Sequence, residues 1–226
     1  WKIDSRDLGP EFATSDAPGA MGRAAGNKDW RGLYKAYGYT PLAAHLPGKT
    51  ISFAGDTDAS YGVSASAIVD RVTVTCPVEE GGLLSTLVEF SNNDASGLAF
   101  GAAGATVGAT PAIVSAITRK VNWDNSDVSV RGWKLVLTCR NKPYVDTDTA
   151  GYVMRTTGNM DATFEWGAYQ DQPASLPAAG DIAIAKFYVT ATLFWQLSWG
   201  IIKRIPNYEA DHESAENVAG LVQGAW

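Results

Sequence analysis

The feature that most constrains the fold is residues 181–200, where side chains alternate strictly between two faces. The odd positions carry alanine and bulky apolar residues, and the even positions mix apolar with polar ones, so the second face can meet water or another chain. A period of two indicates a β-strand. One strand of this length would reach roughly 60 Å. We therefore expect the run either to be broken by a bend or to project beyond its own domain.

The composition favours an all-β fold. The chain has 226 residues, 46% of them hydrophobic, with 23 glycines and without long helical stretches of Leu, Glu and Lys. We predict a β-sandwich or barrel with a long projecting β-hairpin or arm and few helices. The formal charge of −6 argues against a DNA-coating role, which needs a concentrated basic surface. Neither a basic, apolar leader nor a long apolar run is present, so we expect no signal peptide and no membrane anchor.

The distribution of turn residues and of alternating apolar side chains divides the chain into three segments. Residues 1–48 contain four prolines and little periodicity, which predicts an extended N-terminal arm or loop. Residues 49–206 are the predicted β-core, with strand patterns at 49–54, 68–76, 83–91, 98–100, 129–140 and 159–168, and with 112–121 as either a strand or a short helix. In the C-terminal segment, 207–226, residues 211–221 fit either a capped helix or a loop that leads into a terminal strand.

The sequence contains few residues in patterns typical of catalytic or metal-binding sites. Gly48-Lys49-Thr50 ends like a phosphate loop, but Pro47 removes an amide and a strand pattern follows. The two histidines share no context, and each of the two cysteines ends an alternating run that points into the core. Two Asp-Thr-Asp turns, 56–58 and 146–148, are more typical of local backbone hydrogen bonds than of calcium loops. We predict no catalytic site, no metal and no cofactor.

The tryptophans suggest an assembly role. The chain has eight, and several lie in terminal, arm-like or projecting segments, where aromatic residues commonly anchor interfaces. The aromatic segment around residue 30 can pack on its own chain or on a neighbour. The predicted subunit interface consists of aromatic residues from both regions: Trp30, Tyr34, Tyr37, Phe194, Trp195, Trp199 and Trp226.

Strand and turn spacing from about residue 30 to 200 resembles that of phage structural proteins of the tail tube type. The residues that carry the resemblance are Trp30, Arg31, Gly32, Tyr34, Tyr37 and Pro41; Pro47, Gly48, Ser52 and Phe53; Ile68, Val69, Asp70 and Val72; Val88, Phe90 and Ser91; Gly132 and Trp133; and Arg155, Gly158, Asn159, Asp161 and Ala162. The first 30 and the last 25 residues do not match, which leaves open which face would contact a neighbouring ring.

The resemblance implies a non-enzymatic virion protein, assembled in the host cytoplasm. Its partners would be itself, as stacked hexameric rings, and other virion proteins, while DNA would only pass through the lumen. The residues leave two alternatives open. One is a head-decorating or head-to-tail completion protein. The other is a carbohydrate-binding β-sandwich with exposed aromatic residues, which predicts a compact monomer with metal-dependent stability.

Overall fold

A computed structural model describes residues 1–9, 11–13, 21–23, 26–37, 45–77, 82–102, 104, 120–128, 130–169, 178, 180–204 and 215–222. Seventeen β-strands lie in this part of the chain. The first eight are β1 (Lys2–Asp7), β2 (Glu11–Ala13), β3 (Met21–Arg23), β4 (Lys28–Tyr37), β5 (Thr50–Asp56), β6 (Tyr61–Cys76), β7 (Ser85–Asn92) and β8 (Ala99–Ala102). The others are β9 (Val121–Trp123), β10 (Ser126–Val128), β11 (Val130–Cys139), β12 (Lys142–Tyr144), β13 (Met154–Thr156), β14 (Met160–Tyr169), β15 (Ile182–Tyr188), β16 (Phe194–Arg204) and β17 (Ala215–Val222).

The all-β prediction is confirmed. The described part of the chain contains one short helix, the single 3-10 turn Thr147–Thr149. Thirteen strands form one antiparallel sheet in the order β1-β4-β7-β6-β11-β14-β17-β16-β15-β9-β10, with β5 and β8 paired to β6. Two small hairpins, β2–β3 and β12–β13, lie apart from it. No helix in the described residues is long and apolar enough to cross a membrane.

Strand β6 is the longest strand and holds the sheet together along both of its edges. Ile68 pairs with Thr50 of β5 and with Ser91 of β7, so β5 and β7 occupy opposite edges. Strand β11 continues the β5 edge, and β8 continues the β7 edge. The predicted hairpin of residues 68–76 and 83–91 is thereby confirmed as β6–β7. The first half of β6 forms, with β5 and β8, a three-stranded extension that we call the tongue.

Residues 181–200 resolve into a hairpin, and the predicted bend is confirmed. The amides of Thr192 and Leu193 donate to the Thr190 hydroxyl oxygen at 3.2 and 2.8 Å, while the amide of Val189 donates to the Leu193 carbonyl at 2.9 Å. These bonds give the turn partners that a continuous ladder would otherwise supply. The alternation persists through both strands, and β15 pairs with β16 from Tyr188↔Phe194 to Ile182↔Ile201.

The core is one contiguous apolar cluster. The sheet curls until β9 and β15 face β11 and β14, where Trp123 and Trp166 lie 5.7 Å apart between ring centroids. Phe187 of β15 packs 5.5 Å from Trp133 and 5.4 Å from Phe164. At the tongue side, Phe53 and Phe90 meet at 4.9 Å. Ala185, Phe187, Val189 and Leu197 are the buried side chains of the hairpin, and all four lie at odd positions, whereas Leu193 in the turn is exposed.

Both chain ends differ from the expected arm and uncertain tail. Strands β1 and β4 belong to the main sheet, where β4 pairs with β1 on one edge and with β7 on the other. At the other end, β17 inserts between β14 and β16, so of the two readings of residues 211–221 the terminal strand is found. Most of residues 112–121 lies outside the described residues.

The β9–β10 turn gives a test of backbone strain. Asp124 and Asn125 both have positive φ, 47° and 64°, as a type I′ turn requires. Asn125→Gly should raise the free energy of unfolding by up to about 1 kcal/mol, because glycine adopts this conformation without steric cost. Asn125→Val should lower it by about 1–2 kcal/mol.

Urea denaturation of both variants checks this, with Asn159→Gly as the control. Asn159 is exposed and its φ is not positive, so its replacement should stabilise nothing. A glycine at position 125 that destabilises the protein as much as the control would contradict the strain at this turn.

Candidate functional site

The seven predicted interface residues do not form one surface. Trp30 is buried in the chain's own core, 6.1 Å from the Phe90 ring, so it anchors β4 internally instead of contacting a neighbour. Trp195 is partly buried against the same core. Tyr37 is exposed on β4, and five strands separate it from Phe194 on β16. The Trp199 side chain and all of Trp226 lie outside the described part of the chain.

Tyr34 and His45 form a partly buried pair. The Tyr34 hydroxyl oxygen and His45 Nδ1 are 2.8 Å apart, and the rings meet edge to face at 6.0 Å. Burial raises the pKa of Tyr34 to about 12 and lowers the pKa of His45. Both shifts favour the neutral forms of the two groups, which share this hydrogen bond. This pair fixes the chain just before β5 onto β4.

The outward face of the β15–β16 hairpin exposes several large apolar side chains. It is the face that the sequence predicted to meet water or another chain. Ile182 is 60% exposed and Phe194 is 40% exposed, and Ile184 and Leu193 are exposed as well. We call Ile182, Ile184, Tyr188 and Phe194 the hairpin face, and Leu193 lies beside it in the turn. Single exposed apolar residues are ordinary, but a set concentrated on one hairpin is typical of an interaction surface.

Two cations flank the aromatic part of the hairpin face. Tyr188 and Phe194 are cross-strand partners with ring centroids 5.1 Å apart. The Lys120 ammonium lies 4.9 Å from the Tyr188 ring, and the Lys186 ammonium lies 5.4 Å from the Phe194 ring. Lys120 also binds Asp127 and thereby lowers the pKa of that carboxyl group. The aromatic rings are therefore held in place and presented to solvent.

A second feature is a cleft of about 450 Å³ where β1, β4, β7, β6 and β11 meet the segment that follows β11. The register of β6 against β7 shifts between Val69 and Arg71, so Asp70 lies on a β-bulge. Bulges redirect side chains, and Asp70 here accepts hydrogen bonds from the Ser91 hydroxyl and from Asn141 Nδ2, the latter at 2.7 Å. The bulge thus ties β6, β7 and the segment that follows β11 together at the floor of the cleft.

A nearly buried ion pair closes one side of this cleft. Arg155 of β13 makes two bonds to Asp29 of β4, Nη1 to Oδ1 at 2.8 Å and Nη2 to Oδ2 at 2.6 Å. The two side chains are only 5% and 12% exposed. Arg155 also donates to the Asn92 carbonyl at 3.3 Å, and Asn92 Nδ2 donates to the Val153 carbonyl at 3.0 Å. The segment between β11 and β14 is thereby fastened to β4 and β7.

The remaining residues considered as catalytic or metal-binding candidates have local structural roles. Asp146 caps the 3-10 turn, and Asp58 accepts amides of its own turn, as predicted for both Asp-Thr-Asp sequences. Cys76 and Cys139 are buried and are not joined in a disulfide, as expected. Thr50 begins strand β5, as expected from the failed phosphate-loop pattern. Within the described residues, no group of three or more His, Cys, Asp and Glu is placed to hold a metal ion.

The Arg155–Asp29 pair predicts a large, asymmetric response to mutation. Arg155→Met should lower the free energy of unfolding by about 3–5 kcal/mol, because it leaves the Asp29 carboxylate nearly buried without its partner. The double variant Arg155→Met/Asp29→Leu should recover much of that loss, since no isolated charge remains.

Chemical denaturation of the single and double variants measures this coupling. The exposed pair Arg71–Glu89, with its atoms 4.0 Å apart, is the control, and Arg71→Met should cost less than about 1 kcal/mol. Equal losses at Arg155 and Arg71 would show that the ion pair contributes nothing through its burial.

The Tyr34–His45 pair predicts two limbs in the pH dependence of stability. The native state keeps His45 neutral, so the stability that this neutral imidazole contributes is present above about pH 6.5 and is lost as the pH falls below it. The native state also keeps Tyr34 protonated, so its contribution is lost as the pH rises from about 10 toward 12. His45→Gln should flatten the acid limb and Tyr34→Phe the alkaline limb in denaturation midpoints measured against pH. Variant and wild-type curves that stay parallel in these windows would contradict the assignment.

Comparison with known proteins gives no relative from which a function could be taken. No protein-family model matches the chain, and no curated protein matches it. A functional proposal therefore depends on the hairpin face, the cleft and the strand edges described above.

Proposed function

We propose that this protein is a structural virion subunit that self-assembles into rings, stacked as a tail tube through which DNA passes. The observation that carries the proposal is the hairpin face, where Ile182, Ile184 and Phe194 are exposed on one β-surface and Leu193 is exposed in the adjoining turn. These side chains are about half exposed, so burying each against a second copy contributes about 1 kcal/mol, roughly half of the value for full burial. The resemblance of strand and turn spacing to tail tube proteins supports the same reading.

The sheet edges also suit an assembling subunit. In the described strand order, β1 and β10 each have one neighbour, so each leaves a row of backbone groups open for pairing. Strand β1 carries alternating charges at Lys2, Asp4 and Arg6, which oppose indiscriminate pairing. Pairing by β-augmentation between copies would then occur in a defined register. The acidic net charge of −6 suits a lumen that does not retain DNA. A head-decorating or head-to-tail completion protein is the alternative within this class.

A second candidate function, carbohydrate binding, is favoured by one observation. A pocket of about 310 Å³ between β1, β4 and β8 is lined by Trp30, Phe100 and Tyr152, with Asp7 and Asp29 beside them. Phe100 is 80% exposed, and exposed aromatic rings next to carboxylates are suited to stacking on sugar rings. This function predicts a monomer that binds glycans and loses binding on Phe100→Ala.

Assembly is tested by light scattering and negative-stain imaging of the purified full chain. We expect rings or tubes for the wild type. Ile182→Lys/Phe194→Ser should raise the protein concentration at half-assembly by at least about tenfold, because two buried apolar contacts are lost and a charge is introduced.

The control is Tyr144→Ser on β12, where the side chain is 40% exposed, as that of Phe194 is. It should assemble as the wild type does. A wild-type monomer at high concentration would contradict self-assembly and leave carbohydrate binding as the better reading, whereas unchanged assembly of the hairpin variant would move the contact to another surface.

A further inference from the structure

The cleft at the Asp70 bulge has more cationic groups than its carboxylates can use. Four cations line it, Lys2, Arg31, Arg140 and Arg155, against three carboxylates, Asp4, Asp70 and Glu89. With the ion-pair partners of these groups, Arg6, Arg71 and Asp29, the count is six cations to four carboxylates. The chain as a whole has a formal charge of −6, so this cleft is a basic site on an acidic protein. Such a local reversal of sign attracts an anionic group.

The carboxylates of the cleft are already engaged. Asp4 lies 3.4 Å from Arg6 Nε, and Glu89 lies 4.0 Å from Arg71 Nη1. Asp70 accepts hydrogen bonds from Ser91 and Asn141, which line the cleft with it.

One of the four cations is paired within the chain, and the other three are not. Arg155 is committed to Asp29. Lys2, Arg31 and Arg140 are exposed and have no ion pair within 4.0 Å among the described residues. Two guanidinium groups and an ammonium group are thus free to bind a carboxylate, and guanidinium groups can do so with two parallel hydrogen bonds.

A matching carboxylate stands at the tip of the tongue. The β5–β6 turn, residues 57–60, is exposed and rigid: the amides of Ser60 and Tyr61 donate to Asp58 Oδ1 at 2.6 and 2.8 Å, and the Thr57 hydroxyl donates to the Tyr61 carbonyl at 2.9 Å. These bonds use one oxygen of Asp58, and Asp58 makes no ion pair within the described residues. Its second oxygen remains available for another partner. Because the turn is already ordered, binding it would cost little further conformational entropy.

The tongue tip cannot reach the cleft of its own chain. Tyr61 and Asp70 are nine residues apart along the regular strand β6, a separation of about 30 Å. A contact between them therefore joins two copies through different surfaces. Such heterologous contacts generate rings or open stacks.

We infer that the cleft of one copy binds the acidic β5–β6 turn of a second copy, with the Asp58 carboxylate between Arg31 and Arg140. This inference rests on the proposed self-assembly, to which it adds the partner segment and a direction. Charge pairing of this kind sets register and specificity, while the hairpin face supplies apolar burial.

Charge reversal in the full chain tests the contact. Arg31→Glu/Arg140→Glu and Asp58→Lys should each raise the half-assembly concentration by about tenfold, and combining them should restore it to within about threefold of the wild type. The effect of either single reversal should shrink as salt is raised. Asp148→Lys is the control, since Asp146-Thr147-Asp148 repeats the Asp-Thr-Asp sequence on another exposed turn. It should assemble normally.

A cross-link identifies the contact directly. Mixing Asp58→Cys protein with Arg140→Cys protein under mild oxidation should give a mixed disulfide between the two chains, because the native cysteines are buried. If the wild type assembles but neither the cross-link nor the charge rescue is observed, this contact is overturned while self-assembly stands. If the wild type is monomeric and the two cysteine variants form no cross-link, both this contact and the proposed self-assembly are overturned.

Discussion

The fold depends on the pairing of β6 along both edges. One strand of sixteen residues carries β7 and β8 on one side and β5 and β11 on the other, so its register fixes which face of five strands is buried. A slip of one residue would turn Val72 and Val74 outward and bring Thr73 inward, which the apolar core forbids. The bulge at Asp70 then changes the local geometry at the middle of this strand. It separates the tongue from the body of the sheet and places a carboxylate at the floor of the cleft.

The ion pair Arg155–Asp29 attaches the segment between β11 and β14 to this framework. Burying two charges costs several kcal/mol, and the cost is offset only because both guanidinium nitrogens meet both carboxylate oxygens and a further bond reaches the Asn92 carbonyl. An apolar pair of similar volume could be as stable, so the pair is better understood as a device that fixes position. Its effect is to hold the wall of the cleft next to the bulge. The exposed cations Arg31 and Arg140 consequently lie on elements whose relative position is fixed.

Period-two alternation in the sequence predicted strands and their buried faces. Features that depend on contacts between distant residues were not predicted. The faces of residues 181–200 and the β6–β7 hairpin followed from alternation, but alternation did not decide whether Phe194 faces the core or a neighbouring copy. Strand β4 lies in the segment predicted as an arm because residues 1–48 contain four prolines and little periodicity. Its alternation is interrupted at Gly32. Gly32 is required there, since a Cβ would lie 2.5 Å from the Phe90 ring. Likewise Arg155 and Asp29 are 126 residues apart, and no local pattern links them. Aromatic content pointed to interface residues, yet Trp30 is a core residue, because residue type alone does not separate burial in a core from burial in an interface.

Two chemically different surfaces on one chain have consequences for how copies would associate. Association through the hairpin face depends on apolar burial, which salt does not screen, whereas association through the cleft depends on exposed charges that are screened within about 10 Å at ordinary ionic strength. The chain's charge of −6 opposes close approach of copies, and a basic cleft that receives an acidic turn replaces part of this repulsion by attraction in one orientation only. In the proposed assembly, charge would select the direction of growth and apolar contact would stabilise it. Because turn and cleft lie about 30 Å apart on the same strand, each added copy would present a free turn at one end and a free cleft at the other, so growth continues until the geometry closes a ring.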